Sequence, residues 1–537
     1  MKMKNFNQTI QYLGMIGLIP LSSCFGKTEP NSEAQTAPNV IYVFPDQMRN
    51  SAMEFWSSER YAQHIRYKGD PVITPNLNKF ANESVVFSSA FSNCPLSSPH
   101  RGSLLTGMYP NKSGVPLNIN SSRPISSLGE DVTTISDLYS QNGYNCAYIG
   151  KYHLDYPTPN DPDHPGQYVE NRDPVWDTYT PPEKRHGFDF WYSYGTFDVH
   201  KKPHYWDNEG KRHEIREWSP KHEADIAISY LKNNNGERDS NKPFFMMVSM
   251  NPPHHPYSSL DDCMEEDYNL YKNKTPGELL IRDNADTTMA KAASASYYFA
   301  QVTGVDREFG RILQTLDSLG LAENTLVVFA SDHGETMCSH SLNDPKNSPY
   351  AESTDIPFLI RYPGKLKPKV DELLLSTPDI MPTLLGLCGL SEAIPQEVQG
   401  RNFADYLLTG KSEISLPQSA LYIRNMDGEK DENGKVITYF PETRGVKTER
   451  FTLALTINKE TKELKKTYFF DNRTDPYQLN NLPPDSYPAE MKMLLTELGQ
   501  KLKNIDDPWY QEQILSDMIP YGKEENKKTK NHPEAIL

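Results

Sequence analysis

Four stretches of the chain are apolar without interruption and end abruptly in polar or ionisable residues. Residues 39–47 read NVIYVFPDQ, residues 242–255 KPFFMMVSMNPPHH and residues 324–335 NTLVVFASDHGE, and a weaker run over residues 144–153 reads YNCAYIGKYH. A continuous rather than alternating apolar run predicts a strand buried on both faces, as in a parallel sheet. In open α/β sheets ligands gather off the carboxyl ends of the strands. The pattern therefore delivers Asp46, His153, His254 and Asp332 to one sheet edge.

Helical spacing fills the intervals. TPNLNKFANES opens with Thr74 as N-cap and Pro75 at the first helical position. YYFAQVTGVDREFGRILQTLDSLG carries apolar residues at helical spacing and stops at Gly320, and TPDIMPTLLGLCGL reads as a short buried helix. Past Gly410 the texture changes to short alternating runs (SALYIRN, TRGVKTERFTLALTIN, KKTYFFDN), with DENGK as a turn and PAEMKMLLTELGQKLKNI as a closing helix. The predicted organisation is an α/β domain over residues 38–410, with a large mixed, mostly parallel sheet flanked by helices. A smaller C-terminal α+β domain with an antiparallel sheet follows over residues 411–520, then a charged tail over residues 521–537.

Composition narrows the chemistry. A chain of 537 residues with 37% hydrophobic and 11% aromatic residues is globular in character. Its net charge of −16 argues against nucleic acid as a partner, and means that any anion must be met by a local basic pocket. At the N-terminus Lys2 and Lys4 precede YLGMIGLIPLSSC, a run too short to span a bilayer, which reads as an export signal over residues 1–23. Its ending, Leu21-Ser22-Ser23-Cys24, resembles a bacterial lipobox, implying acylation of Cys24, a polar linker over residues 24–37, and a lipoprotein facing the periplasm or the cell exterior. The membrane is thus expected as a partner through a lipid anchor only. The other five cysteines are scattered and show neither disulfide-framework nor zinc-site spacing.

The stretch NCPLSSPHRGSLLTGMYP, residues 93–110, sets Ser97 and Ser98 ahead of Pro99, His100 and Arg101 where a helix begins. A helix N-terminus favours an anion, and Arg101, one turn on, can reach back toward Ser97. A serine without an adjacent base is a poor nucleophile. On these local features alone, a plain N-cap with an arginine ion pair fits better.

SSPHRGSLLTG nevertheless closely resembles the C/S-x-P-x-R signature, followed by LLTG, of type I sulfatases. NVIYVFPDQ, TPNLNKFANESVVFSSAFSNCP, GYNCAYIGKYHLD, NPPHHPY, ASDHGE, IPFLIRYPGKL and YFFDNRTDPYQLNNL resemble further blocks of that family, in family order. The resemblance implies an alkaline phosphatase-like fold and oxidation of Ser97 to formylglycine by a maturase, making this a serine-type member. The aldehyde hydrates to a geminal diol: one hydroxyl attacks sulfur and the second later expels sulfate. Cys94 and Ser98 do not match the signature, because the residues four positions on are Ser98 and Gly102.

The resemblance also implies one calcium ion held by Asp46, Gln47, Asp332 and His333 together with residue 97. Gln47 and His333 stand where the family often has Asp and Asn, and a histidine nitrogen is a less usual calcium ligand. Arg101 is expected to support residue 97 and the metal, and Lys151 and Lys346 to hold sulfate oxygens. Lys151 and His153, two apart on an extended segment, would share a face. Asp332 is the family's candidate base, His254, with Lys346, protonates the leaving alcohol, and His153 takes the proton from the second hydroxyl. His255 is read as lining the pocket. The aromatic segment RHGFDFWYSYGTFDVHKKPHYW, residues 185–206, supplies His200 and His204 as substrate-pocket candidates. The expected substrate is a sulfated saccharide of galactose or N-acetylgalactosamine type, attacked in exo fashion. Two alternatives stay open: a phosphatase or phosphodiesterase of the same superfamily, and a catalytically dead glycan-binding surface lipoprotein.

Overall fold

The computed structural model describes residues 37–158 and 173–515. The export signal, Cys24, residues 24–36 of the linker and the charged tail lie outside the described residues. Among those described, no helix is long and apolar enough to cross a membrane.

Among the described residues, fourteen strands run in chain order as β1 (Asn39–Pro45), β2 (Val85–Phe87), β3 (Asn145–Lys151), β4 (Phe190–Tyr194), β5 (His204–Trp206), β6 (Arg212–Glu214), β7 (Phe244–Met250), β8 (Thr325–Ala330), β9 (Phe358–Arg361), β10 (Lys369–Asp371), β11 (Ser419–Asp427), β12 (Tyr439–Thr448), β13 (Phe451–Ile457) and β14 (Leu464–Asp471). The first ten form one sheet in the order β10-β2-β9-β8-β1-β7-β3-β4-β5-β6. The four apolar runs are β1, β3, β7 and β8, which lie side by side and parallel near the sheet centre. Their register aligns Pro45 with Met250 and Gly150 with Ser249, so the ionisable residues past each strand arrive at one edge.

Alternate side chains of these strands feed two cores. Ile41, Val43, Met246, Val248, Val327 and Phe329 pack under the helices Pro75–Asn82, Ser219–Lys232 and Ala295–Ser318. Val40, Tyr42, Phe245, Met247, Leu326 and Val328 pack under Ser97–Thr106, Ile135–Gln141 and Thr377–Leu387. With both faces covered, every position of β1, β3, β7 and β8 is buried, which is why their sequences do not alternate. Thr74 does N-cap its helix, but its hydroxyl accepts from the Glu54 N–H rather than from its own helix.

The C-terminal sheet, β11-β12-β13-β14, is antiparallel, and Pro488–Asn504 lays Leu494, Leu498 and Leu502 on its Leu421, Leu453 and Phe469. The aromatic segment expected to offer faces to a sugar instead builds β4 and β5. Tyr192, Tyr194, Phe197, Tyr205 and Trp206 form a core cluster there, because rings of that size at a sheet edge bury more apolar area packed together than splayed. All five cysteines of the described residues are free.

Candidate active site

The helix Ser97–Thr106 begins at Ser97 itself, with Leu96 as the N-cap. Its first turn is anchored from outside: the Ser98 N–H donates to Asn118 Oδ1 at 3.0 Å, and the Ile119 N–H to Ser98 Oγ at 3.1 Å. Ser97 is thereby held, 1% exposed, at the carboxyl edge of the large sheet.

Ser97 Oγ lies 3.2 Å from Asp46 Oδ2 and 3.2 Å from His333 Nε2, and Lys346 Nζ approaches it at 3.4 Å. Lys151 Nζ pairs with Asp46 Oδ2 at 2.8 Å and donates to Asn251 Oδ1 at 3.1 Å. Arg101 does not turn back to Ser97. Its guanidinium pairs with Asp46 Oδ2 at 3.0 Å and Asp332 Oδ2 at 3.5 Å. The other terminal nitrogen donates to the Lys151 carbonyl at 2.8 Å and to Ser249 Oγ at 2.7 Å. A planar fork with several fixed donors is the side chain that can tie β1, β3, β7 and β8 together in this way.

Two buried carboxylates this close are driven apart. Burial alone would raise Asp46, but Lys151 first, then His254, Lys346 and His333, hold its carboxylate well below the ordinary range. Burial first, and then the Asp46 charge, push Asp332 up. Lys151 is lowered, chiefly by burial and against the pull of Asp46. His254 falls to about 3 through burial and the neighbouring Lys346 and Lys151.

His254 and Lys346 form a pair, Nζ to Nε2 at 3.1 Å. The lysine ammonium has only protons to offer, so Nε2 is the acceptor and the imidazole proton sits on Nδ1, which donates to the His255 carbonyl at 2.8 Å. Asp198, which the sequence did not single out, lies 3.4 Å from His254 Nδ1 and 3.5 Å from His255 Nε2. The block Pro252-Pro253-His254 brings His254 into the site and leaves His255 half-exposed at its margin.

His153 departs from the expected extended geometry. Strand β3 ends at Lys151, and His153 has a left-handed backbone, φ 53°. Its Nε2 donates to the Ile119 carbonyl at 3.0 Å, which leaves the buried Nδ1 as its accepting nitrogen. The substrate-pocket candidates both have protein partners: His200 Nε2 donates to the His254 carbonyl at 3.0 Å, and His204 Nε2 meets Asp177 Oδ2 at 2.7 Å while its ring stacks on Phe197.

The donor set around Ser97 suits a hard divalent cation. Asp46, Asp332 and His333 each offer a ligand atom within 4.8 Å of the others. His333 Nδ1 donates to the Gly334 carbonyl at 3.0 Å, fixing the tautomer whose Nε2 lone pair faces the site. Gln47, with φ 66°, donates its side-chain amide to Glu335 and its backbone N–H to Asp332 Oδ1 at 3.0 Å. That fixes the amide orientation and leaves Gln47 Oε1 buried with no hydrogen-bond partner. A buried acceptor without a donor is costly, and a cation removes the cost. Glu335, Asn251 and Ser249 were missed in the sequence. Asn251 and Ser249 sit at the end of the same apolar run that ends in His254, a signal that could have found them.

Comparisons agree with this geometry. Residues 38–390 match the family described as Sulfatase, and residues 339–507 the family described as N-sulphoglucosamine sulphohydrolase, C-terminal. The chain is 62% identical over 508 residues to an Endo-4-O-sulfatase of Bacteroides thetaiotaomicron, covering 94% of this chain and 100% of that one. It is 31% identical over 524 residues to an Ulvan-active sulfatase of Formosa agariphila, covering 93% and 89%. A solved Bacteroides thetaiotaomicron structure, described under metabolism of multiple glycosaminoglycans, superposes with a TM-score of 0.89 at 64% identity, over 90% of this chain and 100% of that chain. A phosphonate monoester hydrolase of Agrobacterium radiobacter shares the fold, with a TM-score of 0.58 at 21% identity, over 87% and 95%. With a family match spanning most of the chain and a site built on the residues that carry the signature, this chain belongs to the sulfatase family and is a sulfuric ester hydrolase.

Proposed function

We propose that this chain hydrolyses a 4-O-sulfate ester within a sulfated polysaccharide of the glycosaminoglycan kind, using an aldehyde hydrate derived from Ser97 and one calcium ion. The observation that carries the reading is the convergence of Lys346, His333 and Asp46 on Ser97 Oγ. The 62% identical relative bears the name Endo-4-O-sulfatase, which favours attack inside a chain over the exo action expected from sequence. The galactose- or N-acetylgalactosamine-type sugar of that expectation is kept. An export signal and a lipid on Cys24 belong to the same proposal, since a polymeric substrate has to be met outside the cell.

Asp46, Gln47, Asp332 and His333 would hold the calcium. When bound, it supplies positive charge for the sulfuryl oxygens and lowers the pKa of the hydroxyl it faces. The chain's own groups do the rest. Lys151 and Lys346 neutralise sulfate oxygens, the local basic pocket that a protein of net charge −16 requires. Arg101 locks Asp46 and Asp332 in place, so residue 97 is presented without reorganisation. Asp332 is assigned as the proton acceptor for the attacking hydroxyl. Lys346 holds the proton destined for the leaving alcohol, and His254 accepts from that ammonium and aims it. His153 presents Nδ1 as the acceptor for the second hydroxyl, whose collapse expels sulfate.

The test is protein produced with a formylglycine-generating maturase. Mass spectrometry of the peptide bearing residue 97 should show the loss of two hydrogens, and elemental analysis one calcium per chain. The protein should release sulfate from a 4-O-sulfated oligosaccharide and show little activity on a matched phosphate ester. Aldehyde-bearing, calcium-loaded protein that releases phosphate but no sulfate would refute the proposal.

A further inference from the structure

A cavity of about 640 Å³ lies against the active site with its far wall on the C-terminal sheet, and none of the catalytic groups lines it. Its volume is that of a site for a small organic ligand. Its near wall is chained to the reaction centre. Leu96 precedes Ser97, Asn347 follows Lys346, and Asn118 is the acceptor for the Ser98 N–H. Trp176, half-buried, completes this wall with its ring centre 6.1 Å from that of His153. Asn347 Oδ1 is buried without a hydrogen-bond partner, an acceptor awaiting a donor. Asparagines beside one aromatic face are the groups that hold a sugar ring.

The far wall carries charge. Asp427 is taken by Arg123 at 2.8 Å and Glu442 by Arg424 at 3.3 Å, so neither acid opposes an incoming anion strongly. Lys459 sits on the carbonyls of Asp427 and Gly428 at 2.7 and 2.8 Å, which leaves its charge uncancelled. No carboxylate among the described residues pairs with the exposed Lys465. Glu460, on the turn between them, is one acid against two cations.

The sheet is distorted where it faces the cavity. Along β13 and β14, Thr456 pairs with Lys466 and Ile457 with Leu464, so Lys465 is an extra, bulged residue. Along β11 and β12, Arg424 pairs with Thr443 and Met426 with Phe440, a second irregularity flanked by Asn425 and Glu442. Both irregularities of this sheet border the same cavity. A bulge re-aims a side chain at the cost of ladder hydrogen bonds, and such features gather beside functional sites.

We propose that this cavity is a subsite for the sugar next to the sulfated one, and that Lys465, supported by Lys459, receives an anionic group on that neighbouring sugar, a carboxylate or a second sulfate. The inference rests on the sulfatase reading above and names what flanks the scissile ester.

The experiment is steady-state sulfate release by the matured, calcium-loaded enzyme and its Lys465→Ala and Lys465→Arg variants. Three oligosaccharides are compared: one with a carboxylate on the neighbouring sugar, its carboxyl-reduced counterpart, and that counterpart with a second sulfate on the neighbouring sugar. A charge-assisted contact predicts that Lys465→Ala raises KM about tenfold on at least one anionic substrate, with kcat little changed. On the carboxyl-reduced substrate the effect shrinks to about twofold or less, and Lys465→Arg restores most of the loss. Loss on the carboxylate substrate assigns the anion as carboxylate, and loss on the disulfated one as sulfate. KM values that Lys465→Ala leaves unchanged on both anionic substrates, or raises equally on all three, overturn the subsite. Absence of sulfate release by the unsubstituted enzyme from every substrate overturns the underlying sulfatase reading and this inference with it.

Discussion

Lys346 Nζ stands 3.1 Å from His254 Nε2 and 3.4 Å from Ser97 Oγ, so one ammonium faces both the imidazole and the nucleophile position. Because His254 is held neutral, chiefly by burial and then by Lys346 and Lys151, the transferable proton rests on the lysine. Lys346→Ala should lower kcat by about 10²- to 10⁴-fold on a saccharide sulfate, the usual range for loss of a general acid. On an aryl sulfate, whose phenol leaves without protonation, the loss should be at least about tenfold smaller. Equal losses on the two substrates would show that Lys346 only binds sulfate.

Much of this was legible beforehand for a physical reason. Strands β1, β3, β7 and β8 are covered on both faces, so their sequences had to be continuously apolar and their ends visible, which placed Asp46, His254 and Asp332. Where the backbone leaves the regular strand, legibility stopped. The left-handed turn at His153 defeats a period-2 argument. Arg101 reaching Asp46 rather than Ser97 depends on a partner 55 residues away in sequence. Asp198 and Glu335 act through side chains that meet only in the folded chain, and no local spacing announces them.

Glu335 holds the Gln47 amide so that Oε1 is left for a ligand, and Lys291 Nζ pairs with the same carboxylate at 2.9 Å. Partners of this kind, behind a metal ligand, typically change metal affinity by about 10- to 100-fold. Glu335→Ala should therefore weaken calcium binding by that factor, measured by calorimetry on chelator-treated protein. Activity should return at saturating calcium. Unchanged affinity would mean that Gln47 is not a ligand.

Gly150 fixes where Lys151 points. Its φ is +97°, and a Cβ there would fall 2.1 Å from the Ser249 carbonyl oxygen on the neighbouring strand. Relief requires β3 and β7 to separate, which breaks the ladder that carries Lys151 and Asn251. Gly150→Ala should cost roughly 2–4 kcal/mol of stability, combining backbone strain with overpacking, and lower kcat through a displaced Lys151. Chemical denaturation checks the first effect, and a variant with the wild-type midpoint would contradict it.

Glu223 sits beside Gly150, where an added Cβ would come 3.2 Å from its Oε1; it is fully buried, with Tyr205 Oη donating to Oε1 at 3.0 Å and Oε2 without a partner. Burial, opposed only weakly by Tyr205 and Arg101, pushes its carboxyl up to about 8 from an ordinary 4.5. The folded protein thus keeps a proton that the unfolded chain gives up. Its contribution is complete below about pH 4.5 and is lost as pH rises through about 8, because there the folded state must ionise a buried group. At about 1.4 kcal/mol per pH unit, the loss across that window has an upper bound of about 5 kcal/mol. Glu223→Gln keeps the shape and the acceptor for Tyr205 but cannot ionise. Denaturation midpoints of the two proteins should converge near pH 5 and diverge toward pH 8, with the glutamine variant the more stable. Every other titrating group is common to both, so their difference isolates Glu223, and a difference that stays flat with pH would mean that the carboxyl is already ionised in the folded state.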